Sequence, residues 1–226
     1  MDRQTCAAGA PRRERFIMAG GFAMKLHWSP RSPFVRKVTI VAHERGLVDR
    51  LQCVRTVAAM TKPHAALMAD NPLSKIPTLV LDDGTALYDS PVICEYLDAL
   101  DGKPQLFPIE RARRMLALRR QALGDGFLDL LVLARNERLR VQPSQEHLAS
   151  GAARSAAVLD SLEREADALA ASVFDIGHIA IGCALSYLDF RFTDQNWRQG
   201  RPRLAAWHRD FAARPSVRAS EPVDDS

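Results

Sequence analysis

Cysteines are few in this sequence, and they stand far apart. Cys6, Cys53, Cys94 and Cys183 form no Cys-x-x-Cys pair. Neither a disulfide framework nor a zinc site built from cysteines is therefore indicated. We expect a protein of a reducing cytoplasm that binds no metal.

Long apolar runs are also absent. No eighteen consecutive apolar residues occur, so no membrane-spanning helix is expected. The apolar stretch at residues 16–24 is short and broken by glycine, unlike a signal peptide. Residues 1–23 are predicted to be a disordered extension or a mis-assigned start, with Met18 and Met24 as alternative starts.

The charge balance gives little reason to expect a nucleic-acid partner. The net charge is +4, and residues 1–23 contribute +2 of it through four arginines and two acidic residues. Aromatic residues make up only 7% of the chain and do not alternate with a basic stripe. With 47% apolar residues in 226, the composition is typical of a folded globular protein of one or two domains.

The first half of the chain alternates short strand and helix patterns. Residues 24–28 alternate apolar and polar side chains, and the Ser- and Pro-rich segment that follows ends the strand. Ser32 and Pro33 suit the cap and first turn of a helix. The predicted order is a strand at 24–28, a helix from Pro33 to Gly46, a strand at 51–57, a short helix at 62–68, a hairpin at 76–81 and 86–88, and a helix ending at 101–102.

The second half is helical throughout. Its longest pattern is interrupted only by Gly124 and Gly126, and Ser144 and Asp175 are predicted caps. The predicted helices cover residues 109–140, 144–171, 176–190 and 204–213. The fold class is therefore an α/β domain of order βαβαββα at residues 24–102, followed by an all-α domain at 109–218.

Asp89 and Ser90 are candidate ligand-binding residues. They follow a strand and precede a helix, where backbone N–H groups and the helix dipole favour an anion. The simpler interpretation of Ser90 is a helix cap. Capping and binding are compatible.

Pro77 stands where a strand begins, which suits a residue without an N–H group. Sequence statistics favour a trans peptide bond before it. A cis bond would instead turn the backbone of Ile76 to pair with an extended peptide. The pattern alone leaves both possibilities open.

Ser32 is the candidate for activating a thiol. Its hydroxyl lies at a helix start, where it can donate to a thiolate that the helix end also stabilises. Ser29 is a second hydroxyl three residues earlier and an alternative. Either serine can instead serve only as a cap or turn residue.

Three motifs resemble those of the glutathione S-transferases. Residues 32–37 read Ser-Pro-Phe-Val-Arg-Lys, residues 71–77 read Asn-Pro-Leu-Ser-Lys-Ile-Pro, and residues 89–93 read Asp-Ser-Pro-Val-Ile. The buried helix pattern at 179–192 looks most like the YibF-like bacterial branch, and the resemblance covers residues 24–218.

The resemblance implies a thioredoxin-like domain with a cis-Pro77, a helical domain forming the floor of the acceptor site, and a homodimer. It implies glutathione as co-substrate and conjugation to an electrophilic, largely apolar small molecule, a detoxification reaction. The implied glutathione contacts are Lys75, Ile76, Pro77, Asp89 and Ser90, with Ser32, or alternatively Ser29, as the catalytic residue.

Two other functions remain as alternatives. A non-catalytic glutathione-binding or protein-interaction module would keep the fold without the chemistry. A thiol-disulfide oxidoreductase is disfavoured because Ser32 stands where thiol-transferring relatives carry cysteine. His178 departs from the usual acidic residue of the capping box, and we expect it to be a surface or partly packed side chain that cannot reciprocate the cap.

Overall fold

The computed structural model describes residues 24–225, and the predicted disorder of residues 1–23 lies outside the described part. The chain divides into two compact units. The first runs to Pro104 and includes the segment from Pro215 onward, and the second is Gln105–Arg214. Within the described residues, no helix is long and apolar enough to cross a membrane.

Residues 24–225 form four short strands and eight α-helices. The strands are β1 Met24–Trp28, β2 Leu51–Arg55, β3 Thr78–Val80 and β4 Ala86–Leu87. The helices are α1 Pro33–Glu44, α2 Ala65–Asp70, α3 Ser90–Ala99, α4 Arg111–Arg138, α5 Gln145–Ala171, α6 Ile176–Arg191, α7 Pro202–Ala212 and α8 Pro215–Arg218.

The first unit contains one mixed sheet of order β2-β1-β3-β4. β1 and β2 are parallel, whereas β3 runs antiparallel to both β1 and β4. Buried side chains of β1 and α1 form its core, among them Leu26, Val38 and Ile40. The predicted βαβαββα order is confirmed, and α8 adds a short helix that packs against α1.

Several predicted elements of this unit differ at their ends, and the hairpin strands β3 and β4 are shorter than the predicted 76–81 and 86–88. β2 ends at Arg55 instead of residue 57, and α2 begins at Ala65 instead of residue 62. The later helix start has a local cause, since the His64 side chain caps α2 by accepting a hydrogen bond from the Leu67 N–H at 3.2 Å. Pro63, next to that cap, precedes the helix instead of lying inside it.

The second unit is all helical, as predicted. α4 runs without a break through both of its glycines. A Cβ atom at Gly124 would lie 2.5 Å from the carbonyl carbon of Ala180 and 2.7 Å from the backbone N of Ile181. Gly124 therefore lets α4 and α6 approach at backbone distance, while Gly126 has open space around it.

The start of α6 corrects the expectation for His178. This residue is only 3% exposed, and its Nδ1 accepts a hydrogen bond from the Asp175 N–H at 3.1 Å. Asp175 in turn accepts from the N–H groups of Gly177 and His178. His178 Nε2 lies 3.0 Å from the Leu169 carbonyl oxygen, and Nδ1 also lies 2.8 Å from Asp175 Oδ1. A histidine thus completes the capping box, and the prediction of a surface side chain that cannot reciprocate is wrong.

Candidate active site

Three loops of the first unit meet at one edge of its sheet. In the β1–β3 pair, His27 lies opposite Thr78, so the end of β1 adjoins the start of β3. In the β3–β4 pair, Leu79 lies opposite Leu87, so the end of β4 adjoins that same start. Neighbouring strands are about 4.8 Å apart. The segments that carry the predicted residues therefore converge, although Ser29 and Ser90 are 61 positions apart in sequence.

Ser32 is the N-cap of α1. Its Oγ accepts a hydrogen bond from the Val35 N–H at 3.3 Å, and the side chain is half-buried. A hydroxyl has one donor hydrogen and two acceptor positions, so capping leaves the hydrogen available for an external acceptor. The predicted cap is confirmed, and it is compatible with donation to a thiolate.

Ser29 lies directly beneath the same turn. It is 5% exposed, its carbonyl accepts from the Ser32 N–H at 3.2 Å, and its Oγ accepts from the Arg31 N–H at 3.4 Å. Ser29 is thus the more enclosed of the two candidate hydroxyls. Ser32 is the one whose side chain sits on the first turn of α1.

The peptide bond between Ile76 and Pro77 is cis. Pro77 is buried, Ile76 is half-buried and Lys75 is exposed at the start of β3. The cis form that the family resemblance implied is therefore present, and the alternative of a trans proline is wrong. The ammonium of Lys75 is left at the surface of this edge.

Asn71 holds this loop in shape. It is 1% exposed, and its amide donates to the Lys75 carbonyl at 3.2 Å and to Thr78 Oγ1 at 2.9 Å. Its Oδ1 accepts from the Leu73 N–H at 3.0 Å. Asn71 carried no predicted role of its own, although an asparagine directly before a proline is a sequence signal for such a loop.

Asp89 and Ser90 begin α3. Asp89 is the N-cap residue by its backbone, but its side chain makes no capping hydrogen bond and is exposed. Ser90 is the first helical residue and is 1% exposed. Ser90 is therefore not the cap. The Asp89 carboxylate remains available to a cation, and the Ser90 hydroxyl lies at the positive end of the helix dipole.

A buried histidine ties α2 to β1 behind the loop. His27 is 4% exposed, with Nδ1 2.9 Å from Thr56 Oγ1 and Nε2 2.7 Å from Asp70 Oδ2. Lys25 donates to the same Asp70 oxygen at 2.6 Å. The hydrogen bonds from Lys25 and then His27 lower the pKa of Asp70. Because Asp70 directly precedes Asn71, this cluster fixes where the loop begins. The cluster was not predicted from the sequence.

Comparison with known proteins decides the family. The glutathione S-transferase N-terminal domain matches residues 31–100, and the C-terminal domain matches residues 145–210. The GST-like protein YibF of Escherichia coli K12 is 30% identical over 203 residues, 88% of this chain and 98% of that protein. The chain belongs to the glutathione S-transferase family.

Two solved structures of the glutathione S-transferase family resemble the whole fold. A member from Pseudomonas fluorescens Pf-5 with bound glutathione is 42% identical, with a TM-score of 0.85. A member from the same organism with bound S-(propanoic acid)-glutathione is 40% identical, with a TM-score of 0.82. Each comparison covers 89% of this chain and 100% of the other. The N-terminal family match contains all three loops of the sheet edge except Ser29.

This transferase-family chain carries no cysteine in the edge loops. Cys94 and Cys183 are buried cysteines outside any disulfide bond, on α3 and α6 respectively. The residue at the N-cap of α1 is Ser32. The candidate site therefore offers hydroxyls, backbone N–H groups and one exposed carboxylate. These groups suit chemistry in which the ligand is anionic and carries the reacting thiol better than chemistry that uses a cysteine of the protein.

Proposed function

We propose that this protein is a glutathione transferase that joins the glutathione sulfur to an electrophilic, largely apolar small molecule. The convergence of the Ser32, Pro77 and Ser90 loops at one edge of the sheet carries the proposal. That edge presents the N-termini of two helices and a cis-proline that directly precedes a strand. The glutathione bound in the Pseudomonas relative supports the choice of ligand.

Each part of glutathione has a matching group at this edge. The γ-glutamyl carboxylate fits the start of α3, where the Ser90 hydroxyl and free N–H groups lie at the positive end of the helix dipole. The ammonium of the same residue fits the exposed Asp89 carboxylate. The cysteinyl backbone pairs with Ile76, and the glycine carboxylate fits the exposed Lys75.

Ser32 has the catalytic role in this proposal. A free thiol with a pKa near 8.5 is about 3% thiolate at pH 7, and donation from the Ser32 hydroxyl increases that fraction. The sulfur lone pair then forms the S–C bond, while the acceptor either releases a leaving anion or, in an addition, takes up a proton from solvent. Ser29 is the alternative donor.

We also propose the homodimer, the cytoplasmic location and the detoxification role that the family resemblance implies. Sedimentation of the purified protein tests the dimer directly. All the site residues named above belong to one chain, and the calorimetry below measures glutathione binding separately from the dimer.

Calorimetric titration of glutathione into the wild-type protein and into Ser90→Ala tests the site. Loss of one hydrogen bond to a carboxylate corresponds to about a ten- to hundredfold weaker Kd. Ser150→Ala, which removes an exposed serine of α5, is the matched control and should bind like the wild type.

The outcomes separate the functions. Binding that weakens only in Ser90→Ala, together with turnover of an electrophile, supports the transferase. Binding without turnover of a panel of electrophiles would leave the non-catalytic module instead. No binding of glutathione at all would refute the proposal.

A further inference from the structure

Two arginines converge on a single carboxylate near the C-terminus. Arg31 Nε lies 3.0 Å from Asp225 Oδ1. Arg55 holds both oxygens of the same carboxylate, with Nε 2.7 Å from Oδ2 and Nη2 2.9 Å from Oδ1. Asp224 adds a longer contact, 3.7 Å from Arg31 Nη1. We call Arg31 and Arg55 the arginine pair.

Strand β2 and the turn after β1 carry the two residues of the arginine pair. Arg55 is the last residue of β2 and lies in register with Trp28, the last residue of β1. Arg31 follows three residues later, in the turn that leads to Ser32. Both side chains are about three-quarters covered, at 25% and 26% exposed. The hydrogen bonds from Arg55 lower the pKa of Asp225, so its carboxylate is charged at neutral pH.

The segment that brings this carboxylate is anchored elsewhere. α8 packs on α1, and the Arg36 guanidinium donates to the Val217 carbonyl at 3.3 Å. The Ser220 hydroxyl closes the end of α8 by donating to the Ser216 carbonyl at 3.0 Å. Asp224 and Asp225 come after this anchor, so their carboxylates can be neutralised without removing it.

The position of the arginine pair relative to Ser32 indicates a role in ligand binding. In the strand order β2-β1-β3-β4, the proposed glutathione contacts Pro77 and Ser90 lie on the β3 and β4 side of the β1 end. Arg55 lies at the end of β2, on the opposite side of β1, and Arg31 directly precedes Ser32 in the chain. We therefore expect a sulfur held at Ser32 to have the proposed glutathione contacts on the β3 side and Arg55 on the β2 side, with Arg31 next to it in the chain.

We infer that the arginine pair binds a carboxylate on the electrophile that is joined to the glutathione sulfur. Asp225 occupies this site when the electrophile is absent. The inference rests on the proposed function and narrows its substrate class to electrophiles that bear a carboxylate on an apolar body. Two guanidinium groups that already bind one carboxylate, Arg55 through two hydrogen bonds and Arg31 through an ion pair, suit another carboxylate at the same place. The carboxylates of Asp224 and Asp225 then compete with the ligand's carboxylate for the arginine pair.

Calorimetry with two matched adducts tests this site. The probes are S-(2-carboxyethyl)glutathione, its neutral amide S-(2-carbamoylethyl)glutathione, and glutathione itself. The variants are Arg31→Gln, Arg55→Gln and the double variant Asp224→Asn/Asp225→Asn. Arg50→Gln removes an exposed arginine of the first unit and controls for the loss of one positive charge.

We expect the double asparagine variant to bind the carboxylate adduct about fivefold more tightly than the wild type does, with the amide adduct and glutathione unchanged. Arg31→Gln and Arg55→Gln should each abolish the preference for carboxylate over amide, whereas Arg50→Gln should retain it. Equal affinities for the two adducts in the wild type and the double variant, with glutathione still bound, would overturn this inference alone. Failure of all three probes to bind would overturn it together with the proposed function.

Discussion

Replacement of Ser32 by alanine is the sharpest test of the proposed chemistry. A hydrogen bond to a charged acceptor stabilises it by about 1.5–3 kcal/mol, which corresponds to about one to two units in the pKa of the bound thiol. Without the Ser32 hydroxyl, the thiolate population at a pH below both pKa values falls about ten- to hundredfold. The more basic sulfur is also the better nucleophile, which offsets about half of that loss on a logarithmic scale. The net expectation is a three- to fifteenfold lower kcat at pH 6.5.

The pH dependence of kcat separates this role from a structural one. In Ser32→Ala, the pH–rate profile should shift to higher pH by one to two units, and the two profiles should cross, so that the variant is at least as fast as the wild type at about pH 9, where its more basic thiolate is also largely ionised. The Kd for glutathione should change much less than kcat. The assay is turnover of an electrophile from pH 5.5 to 9.5, at saturating glutathione.

A matched variant controls for the lost helix cap. Ser144 caps α5 in the same way as Ser32 caps α1, with Oγ accepting from the His147 N–H at 3.3 Å. Each alanine substitution should cost about 1 kcal/mol and lower Tm by about 2–4 °C. Ser144→Ala should leave the pH–rate profile unchanged. A Ser32→Ala profile that overlays the wild type would refute the role of this hydroxyl and direct attention to Ser29 or to backbone donors alone.

Two further predictions concern stability and are checked by urea unfolding. Gly124→Ala should destabilise the protein by about 3 kcal/mol or more, because its Cβ would overlap the backbone of Ala180. Gly126→Ala, two residues away in open space, should stabilise the protein by up to about 1 kcal/mol. Equal effects of the two substitutions on the free energy of unfolding would contradict the packing argument. Hydrogen bonds from Lys25 and His27 lower the pKa of Asp70 below its ordinary value of 3.8, so this stabilisation is complete above that value and is lost as the pH falls through the lowered pKa. Asp70→Asn should therefore be less stable than the wild type at pH 7, and the difference should shrink as the pH falls from about 5 through the lowered pKa; a difference that stays constant with pH would show that the carboxylate charge is not involved.

The sequence by itself determined the local structure of this chain. Alternation at residues 24–28 and the serine and proline that follow specify β1, the cap and the start of α1, because period, capping and proline geometry act over a few residues. The same local signals specify the cap of α5 at Ser144. Recognisable motifs at residues 71–77 and 89–93 were enough to indicate the family and to name candidate ligand contacts.

Only the tertiary structure decided which distant groups meet. The pairing of His27 with Asp70, the bonds of Asn71 to the loop before β3, and the contact of Arg31 with Asp225 depend on strand order and register, which no local spacing encodes. Likewise, Gly124 and Gly126 are indistinguishable in the sequence, yet only one of them lies against another backbone. A local pattern records what one residue requires of its neighbours in the chain, whereas these contacts arise from how separate elements pack against each other.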